Sequence, residues 1–302
     1  MRVLVTGGAG FIGRYTVEKL TERGHLPVIF DHYNRMEAYP CPVVLGDVRD
    51  STAVTEAMAH VDGWIHLAAV LGTQETITNP RPAAESNLLG GLNMLEAAAQ
   101  YKVPGVYIGV GNHWMNNTYS ISKTMIERFI DMFNRHRGTV VNVVRAMNAY
   151  GPRQRAIPPW GCSRVRKITP SFACRALAGL PIEIYGDGSQ VSDMIWVGDV
   201  AQALVVALEK AAADIMFDRA VEVGPKENKT VREVAELIIE LSGSTAGINY
   251  LPMRPGEIPN SVVKADADTL ALVDMNPDDL LPVREGMTRT VEYFRQLVQM
   301  IR

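Results

Sequence analysis

An α/β fold, a doubly wound parallel sheet with a smaller C-terminal α/β lobe, is predicted by three observations. Short β-rich apolar runs alternate with helical patterns through the first half of the 302-residue chain, as parallel strands covered on both faces do. The first run, Val3-Leu4-Val5, passes directly into a glycine-rich turn, Thr6-Gly7-Gly8-Ala9-Gly10-Phe11-Ile12-Gly13, that opens a helix. An acid, Asp31, closes the next run, Val28-Ile29-Phe30. Strand, glycine turn, helix and an acid about 20 residues on describe a Rossmann-type dinucleotide site.

Strands are expected at 2–6, 27–31, 42–45, 63–67, 104–110 and 139–144. Helices are expected at 11–23, 51–59, 81–100, 118–136 and 198–210. The stretch from Asn87 to Ala97 is apolar on more than one helical face, so it is deeply buried or packs against a partner subunit. After Gly151-Pro152 the character changes. Pro158-Pro159-Trp160-Gly161 is an irregular loop, and Arg153, Arg155, Arg164, Arg166 and Lys167 form a run of five cations without an acid. Trp160 reads either as a stack for a nucleotide base or as a buried anchor. Regular elements resume with a helix near 169–179, a strand at 181–185 and a helix at 230–241. A last helix at about 285–300 follows Pro277-Asp278 and Pro282, which break the chain. Residues 1–150 then form the dinucleotide-binding domain, rejoined by a segment near 190–225, and 151–302 the substrate lobe that caps the strand ends.

Hydrophobic residues make up 47% of the chain and its net charge is −3. That is enough apolar content for one large core or two fused ones, with no basic field to favour nucleic acid or anionic membrane. No apolar stretch approaches the ~20 residues that span a bilayer. The chain runs from Met1 straight into the glycine turn, leaving no room for a signal peptide. Cys41, Cys162 and Cys174 lack metal-ligand spacing and suit reduced thiols. A cytoplasmic location without a metal site is expected.

Each glycine of the turn has a task. Gly7 allows a tight exit from the strand, Gly10 lets the backbone approach a pyrophosphate, and Gly13 lets the helix pack close to the sheet. Asp31 can accept hydrogen bonds from both ribose hydroxyls of NAD and would repel a 2′-phosphate, with Arg35 nearby to complicate that preference. Tyr119 and Lys123, four residues apart, share a helical face. A lysine ammonium beside a phenol lowers its pKa toward that of a useful base.

Together the glycine turn and this pair make the chain resemble the extended short-chain dehydrogenase/reductase family, in its NAD-dependent nucleotide-sugar epimerase/dehydratase branch. The glycine motif matches in full, which assigns Gly7, Gly10, Phe11, Ile12 and Gly13 to NAD. Gly46-Asp47-Val48 matches the stretch beside the adenine, and His66-Leu67-Ala68-Ala69 resembles the segment beneath the cofactor. Asn87 with Gly90 fits the next helix motif. The resemblance implies that Tyr119 is the acid/base, that Lys123 also holds the nicotinamide ribose, and that Asn148 touches the diphosphate of a nucleotide-sugar substrate; Arg254, and Arg153 from the cationic run, are the expected charged contacts to it. The apolar positions of the helices at about 81–100 and 118–136 exceed what one core face needs, so a homodimer built from them is expected.

The sequence departs from that pattern twice. The family's catalytic Ser or Thr after the fifth strand is missing from Gly109-Val110-Gly111-Asn112-His113-Trp114, leaving Asn112, His113 and Thr118 as substitutes, with Thr118 and His113 preferred. Gln190-Val191-Ser192-Asp193 lacks the usual Arg before Asp, a loss that Arg254 and the cationic run can offset. Three functions fit: an epimerase acting at the sugar's fourth carbon with tightly held NAD, a reductase, dehydrogenase or dehydratase of the same family, and a catalytically silent NAD sensor. The dehydratase lacks its usual Asp-Glu pair.

Overall fold

A computed structural model describes residues 1–32, 39–163, 165–259 and 261–301. Arg35 and Arg164 lie outside the described residues.

The glycine-loop half runs β1 (Arg2–Thr6), α1 (Phe11–Glu22), β2 (Leu26–Asp31), β3 (Val43–Leu45), α2 (Ser51–Met58) and β4 (Gly63–His66). A single-turn α3 (Glu75–Thr78) precedes α4 (Arg81–Ala83), a wider π-helical turn at Ala84–Leu89 and α5 (Gly90–Tyr101). The expected helix at 81–100 is therefore one rod of mixed winding. α3 was not expected, because four residues carry no readable period. Next come β5 (Gly105–Val110), α6 (Thr118–Arg137) and β6 (Val141–Ala146).

Seven parallel strands form the main sheet in the order β3-β2-β1-β4-β5-β6, with Val221–Val223 as the seventh beside β6. Strand residues alternate between two cores. Val3, Val5, Ile29, Val106 and Ile108 face one; Leu4, Val28, Phe30 and Tyr107 face the other. Both faces are buried, so the strands read as continuous apolar runs. Strand order reverses between β1 and β4, which opens a ligand crevice at the carboxyl ends of the strands.

The rest runs β7 (Asn148–Tyr150), α7 (Ile168–Leu177), β8 (Ile182–Tyr185), β9 (Val191–Ser192), β10 (Met194–Trp196), α8 (Val197–Ala212), β11 (Val221–Val223), α9 (Val231–Ser242), β12 (Ile248–Leu251), β13 (Val262–Val263) and α10 (Val283–Ile301). α8 joins α1 over the main sheet, its Val200, Leu204 and Leu208 in the first core. A third core, with Phe172, Ile182, Ile184, Val234, Ile238, Met287 and Phe294, binds α7, α9 and α10 around β8. Trp160 packs against that core and its indole N–H donates to the Cys174 carbonyl at 3.1 Å. No helix among the described residues is long and apolar enough to cross a membrane.

Candidate active site

The glycine turn is shaped by steric necessity. Gly7 has φ +68°, and a Cβ there would fall 2.8 Å from the Ala68 nitrogen. A Cβ on Gly13 would fall 2.3 Å from the Gly7 carbonyl oxygen. α1 starts at Gly10 with no side-chain cap and no acid in its first turn. The N–H groups at Phe11 and Ile12 thus present the positive end of the helix dipole. The Asp31 carboxylate accepts from the Ala9 N–H at 3.2 Å and lies 3.5 Å from His32.

Around the turn, several predicted contact residues are engaged by the protein itself. The Arg49 guanidinium, 2.5 Å from Asp47, holds that carboxyl below its usual range. Val48 is buried, and its carbonyl accepts from Asn93 at 2.9 Å. The Leu67 N–H donates to the Thr6 carbonyl at 3.1 Å and the Ala68 N–H to the Thr6 hydroxyl at 3.3 Å, while Ala69 is half-buried. Asn87 is spent as a brace. Its Oδ1 accepts from Val70 N–H at 2.8 Å, and its Nδ2 donates to the Val70 carbonyl at 3.1 Å and the Ser122 hydroxyl at 3.2 Å.

α6 is capped by Asn117, whose Oδ1 accepts from the Ser120 N–H at 2.9 Å, and its first turn is locked onto α3. The Thr118 hydroxyl donates to the Thr76 carbonyl at 2.8 Å, and the Tyr119 N–H donates to the Thr76 hydroxyl at 3.2 Å. One turn further on, Lys123 is 1% exposed, and its Nζ has no hydrogen-bond partner. It lies 4.0 Å from the centre of the Tyr107 ring, a cation–π contact that offsets only part of the cost of burying a charge. Burial accordingly brings the Lys123 ammonium down to about 7, with Glu127 opposing. Burial also pushes the Tyr119 phenol up to about 12. Burial thus favours the neutral form of each group taken singly. Forming phenolate and ammonium together would offset both penalties. His66 completes this buried layer. Its Nδ1 lies 2.6 Å from the Thr6 hydroxyl, its Nε2 is unpartnered, and burial lowers it to about 3.

Tyr119 opens onto a cavity of about 680 Å³ at the carboxyl ends of β5 and β6. Asn148, Arg254, Arg166, Lys167 and Asn112 share its wall with Tyr119. Asn148 Nδ2 donates to the Ser192 hydroxyl at 2.5 Å, and Arg254 is paired with Glu257 and set 4.6 Å over the Tyr185 ring. Besides the buried Lys123, three residues predicted for catalysis or substrate binding lie off this wall. Thr118 is committed to Thr76. The His113 Nδ1 is buried without a partner, and its carbonyl accepts from the Thr124 hydroxyl at 3.2 Å. Arg153 is drawn 2.5 Å from Glu18 on α1 and over the Tyr15 ring. Arg175 and Glu183, paired at 3.1 Å, are lining residues that the sequence reading did not find. Neither stands in a motif; α7 and β8 bring them inward only by packing. Among the described residues no group of three or more His, Cys, Asp or Glu is placed to hold a metal ion.

Residues 3–224 match the NAD dependent epimerase/dehydratase family. The chain is 28% identical to a UDP-N-acetyl-alpha-D-glucosaminuronate decarboxylase of Bacillus cytotoxicus, covering 98% of each. It is 29% identical to a putative UDP-glucose 4-epimerase of Methanocaldococcus jannaschii, over 97% of this chain and 98% of that one. In three dimensions it is similar to the UDP-glucose 4-epimerase of Thermus thermophilus solved with NAD, with TM-score 0.84, 31% identity, and coverage of 98% and 99%.

Proposed function

The chain belongs to the NAD dependent epimerase/dehydratase family, and from that premise we propose that it is a nucleotide-sugar epimerase acting at the sugar's fourth carbon. The observation that carries this reading is Tyr119 on the cavity wall with Lys123, buried and unpartnered, one turn behind it.

The residues present fit NAD. The uncapped start of α1, the glycine turn closed against Ala68, and the orphaned Lys123 Nζ and His66 Nε2 form a cradle with unmet polar capacity. Gly7, Gly10, Phe11, Ile12 and Gly13 would hold the pyrophosphate, Asp31 the ribose, and Asp47 and Val48 the adenine end. Leu67, Ala68 and Ala69 would pass beneath the cofactor, with Asn87 keeping that segment in place. Bound NAD supplies a hydride acceptor that can return the hydride, and a positively charged ring.

Tyr119 takes the proton of the sugar hydroxyl and later gives it back, the role of a positioned acid/base. Lys123 stabilises the phenolate and holds the nicotinamide ribose. Asn148 and Arg254 face the diphosphate. Among the described residues, four cations (Arg166, Lys167, Arg175, Arg254) and two carboxylates (Glu183, Glu257) line the cavity. The surplus of two positive charges is what a diphosphate neutralises. Among the described residues no further charge lines the cavity to select a sugar carboxylate, which supports a neutral sugar over a uronate. Exposed Leu89 in the turn before α5, Tyr101 at the end of α5, and Ile121, Met125 and Met132 on α6 support a homodimer built on this part of the chain.

The test is incubation with uridine diphosphate glucose and its relatives, followed by proton NMR. Interconversion of the 4-epimers, with NAD retained through purification and no net NADH, is expected. Stoichiometric NADH release would make the protein a dehydrogenase, and carbon dioxide from a uronate substrate would make it a decarboxylase.

A further inference from the structure

The pattern this chain resembles places a hydroxyl after the fifth strand to orient the reacting sugar hydroxyl. Here Gly111 follows β5, and a side chain at that position would meet Met147. A Cβ on Gly111 would fall 2.3 Å from the Met147 sulfur and 3.2 Å from the Met147 Cα. Met147 lines the same cavity, so the volume a serine would use is filled by a thioether. The two preferred substitutes do not line the cavity: the Thr118 hydroxyl is bonded to the Thr76 carbonyl, and His113 lies behind the wall.

Asn112 is on the wall beside Gly111, together with Tyr119. Its Nδ2 donates to the Met115 sulfur at 3.0 Å. Thioether sulfur is a weak acceptor, so this bond holds the carboxamide in place yet yields readily to an oxygen.

We propose that Asn112 is a catalytic residue, its carboxamide donating to the reacting sugar hydroxyl in place of the missing serine or threonine. This rests on the epimerase reading. A carboxamide donates a hydrogen bond but does not pass on a proton at neutral pH, so Tyr119 exchanges the proton with the substrate directly and Asn112 only orients it. Met147 and Gly111 form the second half of the device, since the small residue and the filled space are complementary.

The experiment compares wild type with Asn112→Ala, Thr73→Val (a hydroxyl that also lines the cavity) and the triple variant Asn112→Ala/Gly111→Ser/Met147→Ala. Turnover and calorimetric affinity for uridine diphosphate and uridine diphosphate glucose are measured on each NAD-loaded protein. Asn112→Ala should lower turnover about 10²-fold through lost orientation. It should weaken binding of the sugar nucleotide about three- to tenfold and leave affinity for uridine diphosphate unchanged, which also shows that the variant is folded. The triple variant, with a hydroxyl and room for it, should recover part of the turnover. Wild-type turnover and sugar-nucleotide affinity in Asn112→Ala, or a loss confined to Thr73→Val, overturns the proposal. Absent turnover in wild type with the affinity loss present would instead remove the epimerase reading and leave the Asn112 contact standing.

Discussion

The two sides of the crevice are built on different physical terms. On the glycine side the backbone does the shaping. Gly7 and Gly13 stand where a Cβ would strike backbone atoms at 2.8 and 2.3 Å, and such atoms cannot move aside. On the cavity side, side chains from the strand ends, α7, β8 and the segment around Arg254 are gathered, and their sources are interchangeable. Ser192 stands where an arginine is usual, while Arg166, Lys167 and Arg175 bring charge from elsewhere. Close backbone approach demands one residue type at one position; a field of charge demands only a sum. The first therefore leaves a motif in the sequence, and the second does not.

Tyr119→Phe has the largest expected effect, because the phenol is the group to which proton transfer is assigned. Turnover should fall about 10²–10⁴-fold with NAD still bound, measured by steady-state kinetics and by the NAD released on denaturation. Retained activity would mean that the phenol is not the acid/base. Lys123→Met should remove most turnover and weaken NAD binding. Its effect on stability has the opposite sign. Lys123 is lowered to about 7 when folded against an ordinary 10.5, so the unfolded chain binds more protons between those values. The stability of the NAD-stripped protein should then rise with pH across that window. Lys123→Met should flatten the rise and raise the melting temperature at pH 6–7, as scanning calorimetry can show. A melting temperature lowered at every pH would indicate that the ammonium is paired in the fold.

Arg254→Ala tests the cavity side. It should raise KM about 10–100-fold, the scale of one charge-assisted contact, with a smaller change in kcat. An unchanged KM would mean that the other cations suffice. Asp31→Ala, on the glycine side, should narrow the preference for NAD over NADP about tenfold, read by calorimetry with the two dinucleotides. Equal affinity of the wild-type protein for both would remove the role assigned to Asp31.

The seventh strand of the main sheet, Val221–Val223, was not legible in the sequence; the other six strands, the glycine turn, the acid closing β2 and the Tyr119–Lys123 pair were. Each rests on local chemistry: an apolar run between glycines, a turn only glycine can make, two residues one helical turn apart. Tertiary structure alone decided the rest. α3 is too short to carry a period, yet it receives the Thr118 hydroxyl and removes it from the cavity. Arg153 belongs to a cationic run, but Glu18, 135 residues away in the chain, draws it onto α1. The charges of Tyr119 and Lys123 depend on how much water the surrounding elements exclude, which spacing does not encode. Met147 fills the space beside Gly111 because β5 and β6 are neighbours in the sheet. Sequence determines what depends on neighbours along the chain. Long-range packing determines desolvation, pairing and which side chain faces a ligand, because these depend on neighbours in space.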